Sequence, residues 1–369
     1  MPHARSIGPP RLRLRPLTVV YIDPCMQSAA PTVELAALHR AALIGFGLWL
    51  LLLLPLIPAV AARTLDPLPL LPRLVLLGPL LAVPLGLARA LEDIIPPDPL
   101  LEPRVRWLVP LLLRALLPSA ALAVIAFHLP PGLAAAGLAG PWLLVAGLIS
   151  LLGLLRFHAR RGELARRETL HRSAVDIGLV YLAVGGAWLF ASNLGMQPLG
   201  FQEPLVTLTA SHFHFAGFAA PVITGLVGRE LLALNTGPRA RALYTAVTLI
   251  IIPGPFIVAI GITASPIVEV LSACLLASGL AGVALLMVFS VAPRVRPRIA
   301  GLLLALAGLS IIVTMALACL YAWGEYSGRA HIEIPRMIEL HGTSNALGFT
   351  ALGLLGFTLR QRDELASAE

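Results

Sequence analysis

Two short motifs place ionisable and polar side chains inside stretches that are otherwise apolar. His212 and His214 belong to Ser-His-Phe-His-Phe-Ala-Gly-Phe. His341 and Asn345 belong to His-Gly-Thr-Ser-Asn-Ala-Leu-Gly-Phe. Imidazole exchanges a proton near neutral pH and is a common metal ligand. These motifs therefore indicate either a polar path for a proton or substrate, or a site for a transition metal or a haem.

The composition requires these motifs to lie in a membrane protein. Hydrophobic residues make up 58% of the chain, charged residues only 12%, and the mean hydropathy is +0.87. A helix needs about 20 apolar residues to cross a bilayer, and only helices or closed barrels satisfy their own backbone there. Long Leu, Ala and Val runs favour helices. The sequence predicts an all-α, polytopic transmembrane helix bundle with the lipid bilayer as its main partner.

The net charge of +8 does not indicate a nucleic-acid partner. The basic residues occupy short segments between apolar runs, and none of these segments has the size of a nucleic-acid-binding domain. Basic residues near helix ends favour the cytoplasmic side of a membrane. The placement of the basic residues therefore indicates the membrane topology.

The apolar runs predict about ten crossings. The second run contains Pro79 and Pro84 and is the candidate for a re-entrant segment. Residues 1–40 are predicted to form a disordered cytoplasmic tail, residues 41–359 the transmembrane domain, and residues 360–369 a cytoplasmic tail. The predicted crossings are 41–62, 74–90, 107–129, 133–155, 177–196, 205–227, 243–264, 267–291, 299–322 and 339–359.

Alternating basic segments predict that both termini lie inside, in a multi-pass protein of the bacterial inner membrane. The outer segments keep four arginines: Arg63, Arg73, Arg329 and Arg336. The inner segments hold the tail arginines followed by Arg40, Arg89, Arg104, Arg106, Arg156, Arg160, Arg161, Arg166, Arg167, Arg172, Arg229, Arg239, Arg241, Arg294, Arg296, Arg298, Arg360 and Arg362.

This topology brings the two motifs to one depth. The sixth crossing runs inward, so His212 and His214 lie about 10 to 14 Å below its outer end. The tenth crossing also runs inward, with His341 near its outer end and Asn345 one turn deeper. Residues two apart on a regular helix face opposite ways, so His212 and His214 each need a separate partner. His341 and Asn345, four apart, share one face.

The seventh crossing contains Pro253-Gly254-Pro255, which predicts a break in mid-membrane and free backbone carbonyls. Broken helices line cavities in some transporters, and proline also produces simple packing kinks. Both interpretations stay open at this point.

Both motifs resemble the YndJ-like family of bacterial integral membrane proteins. His212 through Phe218 match the first motif of that family. The second is matched by Met337, His341, Gly342, Asn345, Ala346, Gly348 and Phe349. The resemblance is concentrated in the C-terminal half. It implies an integral membrane protein of a family that is sometimes labelled as transporters, without an assigned substrate.

A shorter likeness connects the first motif with haem-copper oxidases. His-x-His with an aromatic neighbour is similar to the helix in which two opposed histidines ligate two haems. An adjacent His-His copper pair is missing, and the other outer histidines are His128, His331 and His341. These histidines would support a b-type haem between His212 or His214 and His341, but not a complete oxidase site.

Three functions follow from the sequence. The first is a transporter-like protein for a small molecule or ion, with a substrate or proton pathway along His212, His214, His341 and Asn345. The second is a membrane redox protein that holds a haem or metal at His212, His214 and His341. The third is a non-catalytic membrane component. Motifs of soluble enzymes such as GxSxG or HExxH do not occur, and the sequence does not define the oligomeric state.

Overall fold

The computed structural model describes residues 24–56, 68–92, 107–160 and 169–368. These residues form helices joined by short turns, and no β-strand occurs among them. The helices are α1 (Pro24–Leu53), α2 (Leu70–Leu91), α3 (Leu108–Ala126), α4 (Leu133–Ala159), α5 (Leu170–Leu194), α6 (Leu205–Ala233), α7 (Pro238–Ile251), α8 (Gly254–Ala264), α9 (Pro266–Val291), α10 (Arg298–Ser327) and α11 (334–368).

The predicted all-α membrane bundle is confirmed. Within the described residues, eight helices are long and apolar enough to cross a bilayer, and the bent pair α7 and α8 raises the number to nine. The tenth predicted crossing is helical within α11, but α11 is not among these nine. Its His341, Thr343, Ser344 and Asn345 lower its apolarity. The inward orientation of both termini stays a prediction.

Helix α2 is the centre of the bundle and not a re-entrant segment. It continues through Pro79 and Pro84, and its residues from Leu74 to Leu91 are all buried. A wider π-helical turn, Gly78–Ala82, contains the first proline. Such a turn changes the hydrogen-bond pattern where proline lacks an N–H. Helices α1, α3, α5, α6 and α11 all contact α2.

Parts of both predicted tails are helical, and the predicted bounds of the transmembrane domain stay predictions. Helix α1 begins at Pro24, well before residue 41, because the Ala- and Leu-rich segment ahead of the membrane continues the helix. Helix α11 continues to Ala368 through the predicted C-terminal tail. Residues 1–23 lie outside the described residues, as do several arginines used for the topology: Arg63, Arg104, Arg106, Arg161, Arg166 and Arg167.

Candidate functional site

His214 is completely enclosed by protein. Its exposed fraction is 0%. Its Nδ1 lies 2.8 Å from the Ala210 carbonyl, and the Trp142 indole N–H donates to its Nε2 at 3.1 Å. This pattern assigns a neutral ring with the proton on Nδ1, because Nε2 must accept. Both ring nitrogens of His214 are therefore occupied by protein partners.

Two glycines make room for the His214 ring. A Cβ on Gly78 of α2 would lie 2.9 Å from the His214 side chain, and a Cβ on Gly185 of α5 would lie 2.8 Å from its Nδ1. The Trp142 ring stacks on the imidazole with the centroids 5.9 Å apart. His214 thus fills a tight junction between four helices, α2, α4, α5 and α6.

His212 has a different environment although it lies only two residues earlier. Its side chain is exposed. Nδ1 lies 2.8 Å from the Leu208 carbonyl, one turn back on the same helix. That contact fixes the proton on Nδ1 and directs the Nε2 lone pair away from the backbone. Among the described residues, Nε2 of His212 has no hydrogen-bond partner.

His341 and Asn345 form a hydrogen-bonded chain with α10. His341 Nδ1 donates to the Thr314 carbonyl at 2.9 Å, and the Asn345 amide N–H donates to His341 Nε2 at 2.9 Å. The Thr314 hydroxyl donates to the Asn345 side-chain oxygen at 2.5 Å. Ser310, one turn from Thr314, donates to the Ser344 carbonyl at 2.9 Å. These hydrogen bonds hold the His341 ring in its neutral form.

Of the four predicted residues, the structure joins His341 and Asn345 by a hydrogen bond. His212 bonds the backbone of its own helix. His214 lies on the opposite face of α6, as the helical geometry predicts. Across the described ranges, no group of three or more His, Cys, Asp or Glu side chains could hold a metal ion.

Both motifs lie on irregular backbone. Phe213–Ala219 in α6 is π-helical, and so are Ile338–Gly342 and Ser344–Ala351 in α11. A π-helical turn inserts residues into the helical repeat and is frequent at functional sites. The aromatic residues and glycines of both motifs therefore lie where the helix geometry changes locally.

The predicted break between α7 and α8 is confirmed, with a bend of 40°. The carbonyl of Ile252 at the break accepts a hydrogen bond from the Tyr181 hydroxyl at 2.5 Å. The Tyr181 ring also contacts Phe213 and Phe256. The break is thus a packed junction at the aromatic side of α6, which favours the packing interpretation over an open cavity.

A network of ion pairs lies at the other end of the bundle, where α2, α4, α6 and α11 end and α5 begins. The Asp176 carboxylate of α5 contacts Arg156 at 2.5 Å and Arg160 at 3.5 Å, and the exposed fractions of these three residues are 1%, 0% and 8%. Arg156 also donates to the Ala90 carbonyl of α2. Further pairs are Glu92 with Arg89 and Arg229, and Glu230 with Arg360.

The sequence does not reveal this network, because it shows these arginines only as basic loop residues. Asp176 near the start of an apolar crossing was the available signal, since an acidic residue there needs a partner. Trp142, Tyr181 and Thr314 were likewise missed, because each contacts its partner from a different helix.

A comparison with known protein families shows to which family the chain belongs. The YndJ-like protein family matches residues 73–349, about three-quarters of the sequence. The chain belongs to the YndJ-like family. The match begins in α2, so the resemblance reaches further toward the N-terminus than the two motifs indicate.

A relative with the name "Uncharacterized membrane protein YndJ" occurs in Bacillus subtilis (strain 168). It is 32% identical to this YndJ-like chain over 207 residues, which cover 55% of the chain and 36% of the relative. The chain thus matches just over a third of that protein's length. No solved structure matches. The family and the apolar helices together establish a multi-pass membrane protein.

Proposed function

We propose that this YndJ-like chain is a transport protein in which His212, His341 and Asn345 form a polar site within the membrane. The site would pass a proton or a small hydrogen-bonding solute. The observation that carries the proposal is the exposed His212 side chain, whose Nδ1 is held by the Leu208 carbonyl and whose Nε2 has no hydrogen-bond partner among the described residues.

The hydrogen bonds between α10 and α11 support this role. Together with the bond from Asn345 to His341, they use both nitrogens of His341 and both ends of the Asn345 amide. Rotation of the Asn345 side chain would release Nε2 of His341 for a proton or a solute. Polar groups inside a membrane are costly and often mark substrate or proton pathways. The half-buried state of His341 and Asn345 is in keeping with access from a cleft.

His214 is not part of the proposed path. Its contacts with Trp142, Gly78 and Gly185 leave neither a free nitrogen nor space for a solute. In this proposal it holds α6 in position, so that His212 on the opposite face keeps its orientation.

The test is flux in proteoliposomes that carry a pH-sensitive dye and a potassium diffusion potential. We expect dye acidification with the intact chain and a loss of at least about tenfold with His212→Ala, since a positioned proton-transfer group contributes about 10²- to 10⁴-fold. His331→Ala, an exposed histidine in the segment between α10 and α11, is the matched control. Equal flux in all three proteins, or none in any, would reject a proton pathway through His212.

A second function has one observation in its favour. The Nδ1–H of His212 bonds a backbone carbonyl, and metal-ligating histidines typically hold their second nitrogen this way. His212 could then help to hold a haem or a metal ion. Purified protein would show a Soret band that His212→Ala removes and His331→Ala retains. A colourless preparation without bound metal would reject this alternative.

A further inference from the structure

Helices α9 and α10 bring together two cysteines that are distant in the sequence. Cys274 belongs to α9 and Cys319 to α10, and the two thiols interact with each other. Both are free cysteines with half-buried side chains. Two thiols in contact can form a disulfide bond within one chain when the backbones are close enough.

The packing of the two helices places the cysteines at one level, independently of the contact between the thiols. A Cβ on Gly308 of α10 would lie 3.1 Å from the Ala284 carbonyl oxygen of α9, so the helices approach closely there. Cys319 lies 11 residues after Gly308, and Cys274 lies 10 residues before Ala284. Because the helices run antiparallel, both steps lead in the same direction, and each covers about 15 to 17 Å.

The cysteines also lie on the faces that the two helices bury. On each helix, the residues four positions before and three positions after the cysteine are buried. They are Val270 and Ala277 on α9, and Met315 and Ala322 on α10. Residues three and four apart share one face of a helix. Cys274 and Cys319 therefore belong to the seam between α9 and α10.

This pair is open to the lipid side of the bundle. Leu275 and Leu320, which follow the two cysteines in the sequence, are exposed. Each cysteine lies eight residues from the nearer end of its helix, at the end where α9 begins and α10 finishes. That distance is about 12 Å along the helix axis. A molecule that dissolves in the bilayer can therefore reach the two sulfur atoms more easily than one that stays in water.

We propose that Cys274 and Cys319 form a disulfide bond, with a lipid-soluble quinone as the oxidant. The reaction breaks two S–H bonds and forms one S–S bond. The two electrons and two protons pass to the quinone, which becomes a hydroquinone. The bond would tie α10 to α9 five residues from Thr314, whose carbonyl and hydroxyl hold His341 and Asn345.

The test uses the full chain, reduced and placed in nanodiscs. A short-chain ubiquinone is added, the protein is denatured, and free thiols are alkylated with N-ethylmaleimide. The chain has three cysteines. Intact-mass spectrometry should count three labels before oxidation and one label, on Cys25, after it. A linked peptide pair that contains Cys274 and Cys319 identifies the bond, and treatment with a reductant should restore all three labels.

Two variants control for the position of the thiols. Cys25→Ser keeps the pair and should form the same bond. Cys274→Ser combined with Leu275→Cys keeps three thiols but moves one of them to the neighbouring, exposed position. We expect at least about tenfold less disulfide in this double variant, because a shift of one residue turns the side chain by about 100° around the helix.

Three outcomes would overturn the proposal. The first is full labelling of Cys274 and Cys319 after quinone treatment. The second is a disulfide that joins two chains and not two helices of one chain. The third is an equal yield of the bond in the double variant, because random collisions of thiols would then explain the cross-link.

Discussion

The two ends of the bundle treat polar groups in opposite ways. At the α5 start, Asp176, Arg156 and Arg160 are charged, almost fully buried and paired with one another. In the histidine layer, His212 and His341 belong to neutral hydrogen-bonded groups that stay partly accessible. A buried pair fixes helices together, because breaking it leaves an uncompensated charge. An accessible neutral ring contributes little to stability and remains available to a ligand.

The largest effect is expected at the ion-pair network. Asp176→Ala would leave two arginines without this carboxylate and should destabilise the protein by about 3 to 5 kcal/mol. The measurement is thermal unfolding of the purified protein in detergent. Glu339→Ala, which removes the exposed pair with Arg336, is the control and should change stability by at most about 1 kcal/mol. Similar losses in both variants would remove the distinction between the two regions.

A smaller loss is expected at His214. His214→Ala would open a cavity and leave the Trp142 N–H unpaired, for a cost of about 2 to 4 kcal/mol. His331→Ala should leave the unfolding midpoint unchanged. If His214→Ala were as stable as its control and abolished flux, His214 would belong to the polar path and not to the scaffold.

A still smaller loss of stability is expected at the break between α7 and α8. Tyr181→Phe removes the donor to the Ile252 carbonyl and should cost about 1 to 3 kcal/mol, because that carbonyl is then left without a partner. Tyr326→Phe on the exposed side of α10 serves as the matched variant. Equal midpoints for the two would mean that water replaces the tyrosine, and that the break is open to solvent.

The smallest effect on stability is expected at His212. His212→Gln should change the free energy of unfolding by less than about 1 kcal/mol, because the side chain is exposed and bonds only its own helix. The same variant should lose flux in proteoliposomes. A strong destabilisation here would place His212 with the structural residues and weaken the functional proposal.

Much of the fold follows from the sequence, because hydropathy alone identifies long apolar helices. The opposed faces of His212 and His214 also follow, since they depend only on helix geometry. The hydrogen-bond partners of the histidines do not follow from the sequence. Trp142 lies 72 residues from His214 and Thr314 lies 27 residues from His341, so packing between helices decides these contacts. The central position of α2 was missed because two prolines resemble an interruption when neighbouring helices are unknown.

That central position has a consequence for how the protein is made. Helix α2 is synthesised before α6 and α11, which cover it. Until they arrive, α2 must rest against lipid, which its apolar sequence permits. A chain that stops before α11 would keep one side of its most enclosed helix turned to the bilayer. Completion of the core is therefore postponed until α11, which carries the His341 motif, enters the membrane.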